Sequence, residues 1–345
     1  MRSKKPYRKI FITLVVLITL LSYVSLRIPP HIFWPAAFLS YGIPLFVFLN
    51  LVLFLLALKQ KRLTAFLWFL LFAAGVPSLL RTIRFNSDHN LRGTTRVLSV
   101  NVSLFYNKKK HEQFSSEIIE WVLKDSSSVK CLQEFVTNPK GAKSDITGRL
   151  KSLGYQGYVY QAFTGKQDQI PGIAIFTRGT IINSGVVWQD SKTINAAIFA
   201  DIKFNNKVVR IYNIHLSSMN FRARPTDIYG KLNYVFNRLK TGSIKRSKQL
   251  HAIFNHMKTS PYPFLVCGDF NETPYSYVYS RMRRELTNAF EERGNGFGFT
   301  LNQKPYFLRI DHQFFSKGFK LQKYSVDRTM TTSDHFPTYG YYILP

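Results

Sequence analysis

Apolar positions follow two different rhythms along this chain. Up to residue 80 they come in unbroken blocks, Ile10–Leu26, Phe33–Leu58 and Leu63–Leu80, which are 17, 26 and 18 residues long and uncharged. About 20 residues of helix cross the hydrocarbon core of a bilayer, so this pattern predicts three transmembrane helices. From about residue 90, short β-prone runs alternate with amphipathic stretches. RVLSVNV, VKCLQEF, VVRIYNIH, FLVCGDFN and FLRIDHQFF read as strands, as do Gly172–Thr177, Ile194–Phe204 and the end of TTSDHFPTYGYY. Helical spacing appears in Glu112–Lys124, through Phe114, Ile118, Trp121 and Val122. It recurs in Thr226–Leu239, through Ile228, Leu232, Val235, Phe236 and Leu239, and in Arg246–Met257. Strands interleaved with helices predict an α/β domain of two packed sheets with helices outside. Two regions follow: a membrane anchor over 1–85 and a globular domain over 86–345, joined through the polar SDHNLRGTT.

Charge sharpens the division. The chain has 47 Lys and Arg against 19 Asp and Glu, net +28. Residues 1–84 hold eleven basic residues and no acid, so residues 85–345 still carry 36 basic against 19 acidic, net +17. A basic domain suits a polyanionic partner, nucleic acid or an anionic membrane surface, although charge alone does not define a site. Basic residues at 1–9 and 59–62 number eight, against five (Arg27, Arg81, Arg84, Arg92, Arg96) on the other side. That bias puts the N-terminus inside and, after three spans, the globular domain outside the cytoplasm, on the periplasmic face of an inner membrane. No small-x-small cleavage site follows Leu26, so an uncleaved anchor is expected rather than a signal peptide. The spans contain no ionisable residue, which argues against a transport pathway. Two cysteines, Cys131 and Cys267, each in an apolar run, exclude a disulfide framework and a thiolate metal cluster.

The chemistry sits where strands end. Asn101, Glu134, His215, Asp269 with Asn271, Asp311, and Asp334 with His335 all stand at or beside strand termini. Each alone has an ordinary explanation as a turn residue, a surface charge or a satisfied histidine. Together they supply carboxylates for a hard divalent cation, donors for phosphate oxygens, and imidazoles backed by carboxylates.

In their order, SVNV, CLQEF, PGIAIFTR, YNIHLSS, CGDFNETP, RIDHQFF and SDHFP resemble the endonuclease/exonuclease/phosphatase superfamily, over roughly Arg96 to Tyr342. The resemblance implies a four-layer sandwich, two β-sheets between helical layers, with the site at one edge. It implies Mg²⁺, with Mn²⁺ as the alternative, held by Glu134 with Asn101 beside it and Asp334 reaching toward the metal. Asp269 would hold or deprotonate the attacking water, and Asn271 would hydrogen-bond that water or a phosphate oxygen. His215 would donate to the phosphate, and His335 would be a second imidazole oriented by Asp311. Either Asp269 or His335 serves as the base.

Two substrate classes follow, a nucleic-acid phosphodiester or a phospholipid headgroup at the membrane surface. NIHL at 213–216 looks more like deoxyribonuclease I and sphingomyelinases than like abasic-site endonucleases. The basic insert Ser217–Lys248 would track a phosphate backbone or lie on an anionic bilayer, while its apolar stripe reads as ordinary helix packing. Arg178, Arg222, Arg224 and Arg246 are weaker substrate-binding candidates. A non-catalytic binding module with this fold is the competing class, and intact side chains at all the proposed site positions speak against it.

Overall fold

The structure is a computed structural model that describes residues 5–87, 90–141, 143–162, 171–218 and 227–345. Its helices are α1 (Lys5–Ser25), α2 (Pro35–Tyr41), α3 (Ile43–Lys59), α4 (Thr64–Leu79), α5 (Ser116–Lys124), α6 (Ile146–Ser152), α7 (Ile228–Lys258), α8 (Tyr277–Glu285) and α9 (Ala289–Arg293). The chain forms two compact units. One gathers Met1–Thr82, Met219–Lys248 and Thr273–Arg281; the other holds Ile83–Ser218, Gln249–Glu272 and Met282–Pro345.

The first unit is built inside out. Large apolar side chains of α1, α3 and α4 face outward, among them Phe11, Leu14, Leu17, Leu21, Phe48, Leu55, Phe66 and Phe69. Buried between these helices are Thr19, Ser22, Ser25, Ser40 and Asn50. The Asn50 side-chain amide donates to Thr19 Oγ1 at 3.0 Å. Gly75 lets two helices approach, because a Cβ there would stand 2.3 Å from Val47 Cγ2. Small and hydrogen-bonded residues inside with hydrocarbon outside is the packing expected of helices in lipid. The three expected spans are not three equal helices. Among the described residues one helix, at Tyr7–Ser25, is by itself long and apolar enough to cross. The second block is broken into α2 and α3, bent by 52°. Gly42 sits at the bend and Pro44, near the start of α3, has no N–H to continue the first helix. The third block yields 16 helical residues, short of a span.

A second departure is α7. Two helices were expected around Thr241-Gly242-Ser243, and a single helix of 31 residues runs through. One glycine costs a helix about 1 kcal/mol, too little to break it. The space beside it is used: a Cβ on Gly242 would meet Arg246 Nη1 at 2.7 Å. On the first part of α7, Ile228, Leu232, Val235 and Phe236 are exposed, so the expectation that this stripe packs a core fails there.

The second unit contains all the strands: β1 (Ile83–Phe85), β2 (Thr95–Asn101), β3 (Val129–Phe135), β4 (Gln156–Gln161), β5 (Gly172–Thr177), β6 (Thr180–Gln189), β7 (Ala196–Phe204), β8 (Lys207–His215), β9 (Phe264–Asp269), β10 (Thr287–Asn288), β11 (Asn295–Phe297), β12 (Asp311–Phe315), β13 (Lys320–Val326) and β14 (Thr338–Ile343). Two six-stranded sheets run β13-β14-β2-β3-β5-β4 and β10-β12-β9-β8-β7-β6, and β1 pairs with β11. Every neighbouring pair in the two large sheets is antiparallel except β2–β3 in one and β8–β9 in the other. Between the sheets lies a core that includes Val97, Val129, Cys131 and Ile175 from one and Ile198, Ile211, Leu265 and Cys267 from the other. Both cysteines are free and buried there. On the outer face of the first sheet, Leu98, Val100 and Leu132 pack under Ile118, Ile119 and Val122 of α5 and Leu150 of α6. Burial of both faces explains why β2 and β3 read as continuous apolar runs.

The strands missed by sequence are the short pair β1 and β11 and the four edge strands of the large sheets, β4, β6, β10 and β13, which have exposed positions and little alternation. The first helix of this unit begins at Ser116, not Glu112, because His111 and Phe114 adopt left-handed backbone, with φ of 53° and 51°.

Candidate active site

The two parallel pairs place their carboxyl ends at one edge of the sandwich, where ligands gather in sheets of this kind. Asn101 and Glu134 come from β2 and β3, and His215 and Asp269 from β8 and β9. In the second sheet, His215 pairs directly with Asp269 and Asp269 with Asp311. Local backbone aims several of them. The ladder between β3 and β5 shifts between Gln133 and Phe135, and Glu134 at the bulge has φ of 49°. A bulge frees one residue from the pleat, and here it frees the carboxylate. Gly268, with φ of 145°, lies so close to β8 that a Cβ would stand 1.9 Å from the Ile214 carbonyl oxygen. Only glycine brings the next residue, Asp269, in beside His215. Asn271 has φ of 50° and closes the turn, its N–H donating to Asp269 Oδ1 at 2.8 Å.

The side chains form one connected cluster. Asn101 Nδ2 donates to Glu134 Oε1 and to Asp269 Oδ2, each at 3.1 Å, while its Oδ1 accepts from the Ser103 N–H. His335 Nδ1 bonds Asp311 Oδ2 at 2.9 Å, and its Nε2 lies 3.7 Å from Asp269 Oδ2. His215 Nε2 is 3.8 Å from Glu134 Oε1 and 3.8 Å from Asp269 Oδ2. Lys108 Nζ reaches Asp334 Oδ2 at 2.7 Å. Asn271 Nδ2 donates to the Leu216 carbonyl at 3.0 Å.

Protonation follows from these neighbours. Burial pushes the Asp269 carboxyl up to about 6, against the pull of His335. Burial alone would lower His335, but Asp311 and then Asp269 outweigh it and hold the imidazole well above its usual range, protonated at neutral pH. His215 is pushed down by burial, Asp269 notwithstanding, and is neutral. Glu134 is raised, first by desolvation and then by the nearby Asp334 carboxylate. Asp334 is lowered because His335 and Lys108 outweigh its own burial.

Several polar atoms here are buried without a partner: both ring nitrogens of His215, Asp311 Oδ1 and Asp334 Oδ1. Such groups cost on the order of 1–3 kcal/mol each unless something binds them. For a divalent cation two donor sets present themselves. Asp269, Asp311 and His335 bring ligand atoms within 4.8 Å of one another. However, the His335–Asp311 hydrogen bond already occupies one ligand atom of each, and a cationic imidazole repels a metal. Glu134 and Asp334 fit a hard cation better: two carboxylates that repel each other, one with a free buried oxygen.

Eight expected residues therefore converge: Asn101, Glu134, His215, Asp269, Asn271, Asp311, Asp334 and His335. Among the weaker candidates, Arg178 does not join them. It follows β5 beyond Thr177, which pairs with Val129, whereas the site lies by Phe135, paired with Gly172. Six ladder steps, about 20 Å, separate the two ends. Its guanidinium instead lies 4.9 Å from the ring of Tyr155. Arg246 is fully buried inside the first unit, so it is enclosed rather than presented to a substrate. Arg222 and Arg224 lie outside the described residues.

Sequence reasoning missed the supports. Gln133 Nε2 donates to Asn213 Oδ1 at 2.6 Å, and Asn213 Nδ2 to the carbonyls of Leu132 and Ala174, tying the two sheets together beside the site. A buried amide in each of two apolar strands was the available signal. Lys108, one of three consecutive lysines, gave none. His312 and Thr338, beside the site residues Asp311 and His335 in sequence, are structural. Neutral His312 links Arg309 to the Glu272 carbonyl, and Thr338 donates to the Ser99 carbonyl.

Residues 98–335 match the Endonuclease/Exonuclease/phosphatase family, and residues 8–82 match a domain of unknown function. Among solved structures the chain is similar to an endonuclease/exonuclease/phosphatase from Beutenbergia cavernae, with TM-score 0.56 and 16% identity over 73% of this chain and 72% of that one. It is similar to the human Nocturnin catalytic domain with bound sulfate, with TM-score 0.53 and 20% identity over 74% and 97%. A 3′ phosphatase, NExo, from Neisseria bound to product DNA hairpin matches with TM-score 0.50 and 14% identity over 71% and 98%. No curated protein matches the chain. At these identities the neighbours speak for the fold, and the family match speaks for the chain: it belongs to the endonuclease/exonuclease/phosphatase family and is a hydrolase acting on phosphate esters.

Proposed function

We propose that this protein is a Mg²⁺-dependent phosphodiesterase of the nuclease type, held at a membrane by its first unit. The observation that carries the proposal is the pairing of opposite protonation states across one contact. A carboxyl raised to about 6 lies 3.7 Å from an imidazolium, beside a neutral imidazole with unpaired nitrogens. Groups whose environments push them apart in this way mark acid–base assignments.

Asp269 is the stronger candidate for the base. Its Oδ1 and Oδ2 are fixed by the Asn271 N–H and Asn101 Nδ2, and its raised pKa suits accepting a proton from water near neutrality. His335 is already protonated, and its cation stabilises charge building on the phosphoryl oxygens. His215, neutral and unpaired, donates an N–H to the same oxygens. Asn101 and Asn271 hold Asp269 so that water and phosphorus meet in line. Glu134 and Asp334 would hold Mg²⁺, which neutralises charge on the phosphate and leaving oxygens when bound.

A headgroup phosphodiesterase or phosphatase at the membrane surface is the second reading. The inside-out helical unit favours it, because tethering raises the local concentration of bilayer substrate. The positive-inside balance supports a globular domain on the periplasmic side. The test gives full-chain protein in detergent plasmid DNA and phospholipid vesicles, with Mg²⁺ and with EDTA. The expected result is Mg²⁺-dependent cleavage reduced at least about 10²-fold in Glu134→Ala, with unchanged thermal unfolding. Equal turnover in EDTA would sink the metal assignment. Headgroup release without DNA cleavage would select the second reading.

A further inference from the structure

The first part of α7 presents a largely exposed apolar surface outside the catalytic site. Ile228 is 78% exposed, Leu232 66%, Val235 42% and Phe236 40%. Their spacing of four, three and one places them on one arc, about 120° wide at 3.6 residues per turn, with Tyr229 at its edge. Lys231 and Arg238 border the arc on one side, Lys240 and Asn233 on the other, and Asn237 lies about 140° from its middle. From Asp227 to Lys258 the only acid is Asp227 itself, against seven Lys and Arg. An exposed apolar stripe edged by cations differs from a nucleic-acid track, whose stacking side chains interleave with the charge rather than separate from it.

The stripe belongs to the same compact unit as the inside-out helices. Phe236 stacks on Phe38 with ring centroids 4.8 Å apart and meets Trp34 edge-on at 5.5 Å. Lys240 Nζ lies 4.5 Å from the centre of the Trp34 ring, and His31 Nδ1 bonds Ser247 Oγ at 2.8 Å. The contacts therefore bind α7 to α2 and to the loop before it, where an interfacial tryptophan belongs. The exposed apolar surface of α1 and α3 and that of α7 are parts of one unit.

We propose that residues 228–240 form an interfacial helix that lies in the headgroup region of an anionic phospholipid bilayer. Ile228, Leu232, Val235 and Phe236 enter the acyl boundary. Lys231, Arg238 and Lys240 extend from the sides of the stripe to lipid phosphates, as long cationic side chains do at membrane interfaces. The proposal rests on the reading that the first unit is embedded in lipid, and it assigns α7 a lipid contact of its own beyond tethering by α1.

The test uses the full chain reconstituted into vesicles of phosphatidylcholine with phosphatidylglycerol, and into phosphatidylcholine alone. Cys131 and Cys267 are buried, so a single introduced cysteine takes an environment-sensitive fluorophore. Leu232→Cys reports the stripe, Asn237→Cys the opposite face and Leu14→Cys the first helix. The expected result is quenching by shallow doxyl-lipid at Leu232→Cys at least about three-fold that at Asn237→Cys, stronger with the anionic lipid. Quenching at Leu14→Cys with none at Leu232→Cys overturns the interfacial helix and keeps the anchor. No quenching at either overturns both. A Leu232→Cys label that stays in water with vesicles but is shielded by added DNA assigns the stripe to nucleic acid and also overturns the proposal.

Discussion

The β2–β3 pair carries a buried charge cluster at each end, and the two are built to opposite plans. At the amino ends, Asp125 accepts from Arg96 at 2.8 Å, Lys130 at 2.8 Å, the Ser127 N–H at 2.9 Å and Tyr339 at 3.1 Å. Lys130, fully buried, spends its remaining protons on the carbonyls of Val122 and Asp125. At the carboxyl ends, Glu134, Asp269, Asp311 and Asp334 share the two cations Lys108 and His335, and His215, Asp311 and Asp334 keep buried atoms without partners. One cluster is closed, its charges neutralised by the protein. The other is left open, and the missing partners must come from outside. Buried charge is therefore no guide to a site; unsatisfied buried charge is.

The largest expected effect breaks the closed end. Lys130→Met leaves Asp125 with Arg96, which is partly exposed, as its one cation, and removal of one partner of a buried pair costs about 3–5 kcal/mol. Equilibrium unfolding measures it, and turnover per folded molecule stays at the wild-type value. A loss below about 1 kcal/mol would show that the closed end is held by packing instead.

The next effect breaks the open end, in rate rather than stability. Asp269→Asn preserves the shape and removes the proton acceptor, so turnover of a phosphodiester falls about 10²–10⁴-fold. Stability in EDTA is unchanged or higher, because a desolvated charge disappears. A variant within ten-fold of wild type moves the base to another group.

Asp269 at the open end and Asp125 at the closed end also carry opposite pH signs, which sharpens the comparison. The Asp269 carboxyl is raised from 3.8 to about 6 by burial, so the fold favours its protonated form. Its contribution is present below pH 3.8 and lost as pH rises through 6, roughly 3 kcal/mol in metal-free protein. His335, raised by Asp311 and Asp269 against its own burial, acts in the same direction at higher pH. Asp125 is lowered, with Lys130 outweighing burial, so its contribution is present above its ordinary pKa and lost as pH falls. In EDTA, Asp269→Asn should flatten the decline between pH 4 and 6 and leave acid unfolding in place. A decline that persists in that variant would assign it elsewhere.

Much of the open end was legible because its residues interrupt apolar strands. Asp269 and Asn271 stand out after LVCG, Glu134 after VKCLQ and His215 after RIYNI. Two core-building patterns were readable for the same reason, since strands buried on both faces are apolar throughout. What could not be read depended on contacts distant in sequence. Lys108 meets Asp334 across 226 positions, and Gln133 meets Asn213 across 80. Helix lengths misled in both directions. Gly42 and Pro44 split an apolar block that looks continuous, and Gly242 failed to split a helix that looks interrupted. The apolar stripe of α7 has the spacing of a core helix, and only its exposure separates it from a packed one.

The smallest expected effect concerns Arg178. In the sequence it follows PGIAIFT, a strand of the family pattern, and a basic residue there invites a phosphate contact. Antiparallel pairing of β3 with β5 reverses that expectation, because the end of β5 lies beside the start of β3, at the closed cluster. The guanidinium covers the ring of Tyr155, whose hydroxyl donates to the Ser127 carbonyl at 2.8 Å. Arg178→Ala thus removes one cation–π contact, worth about 0.5–1 kcal/mol near a surface, and no substrate contact. Stability should fall by that amount, and kcat/KM on any phosphodiester should stay within about two-fold of wild type. A ten-fold loss in kcat/KM at unchanged stability would mean that the substrate reaches the closed end, and the division between the two clusters would no longer hold.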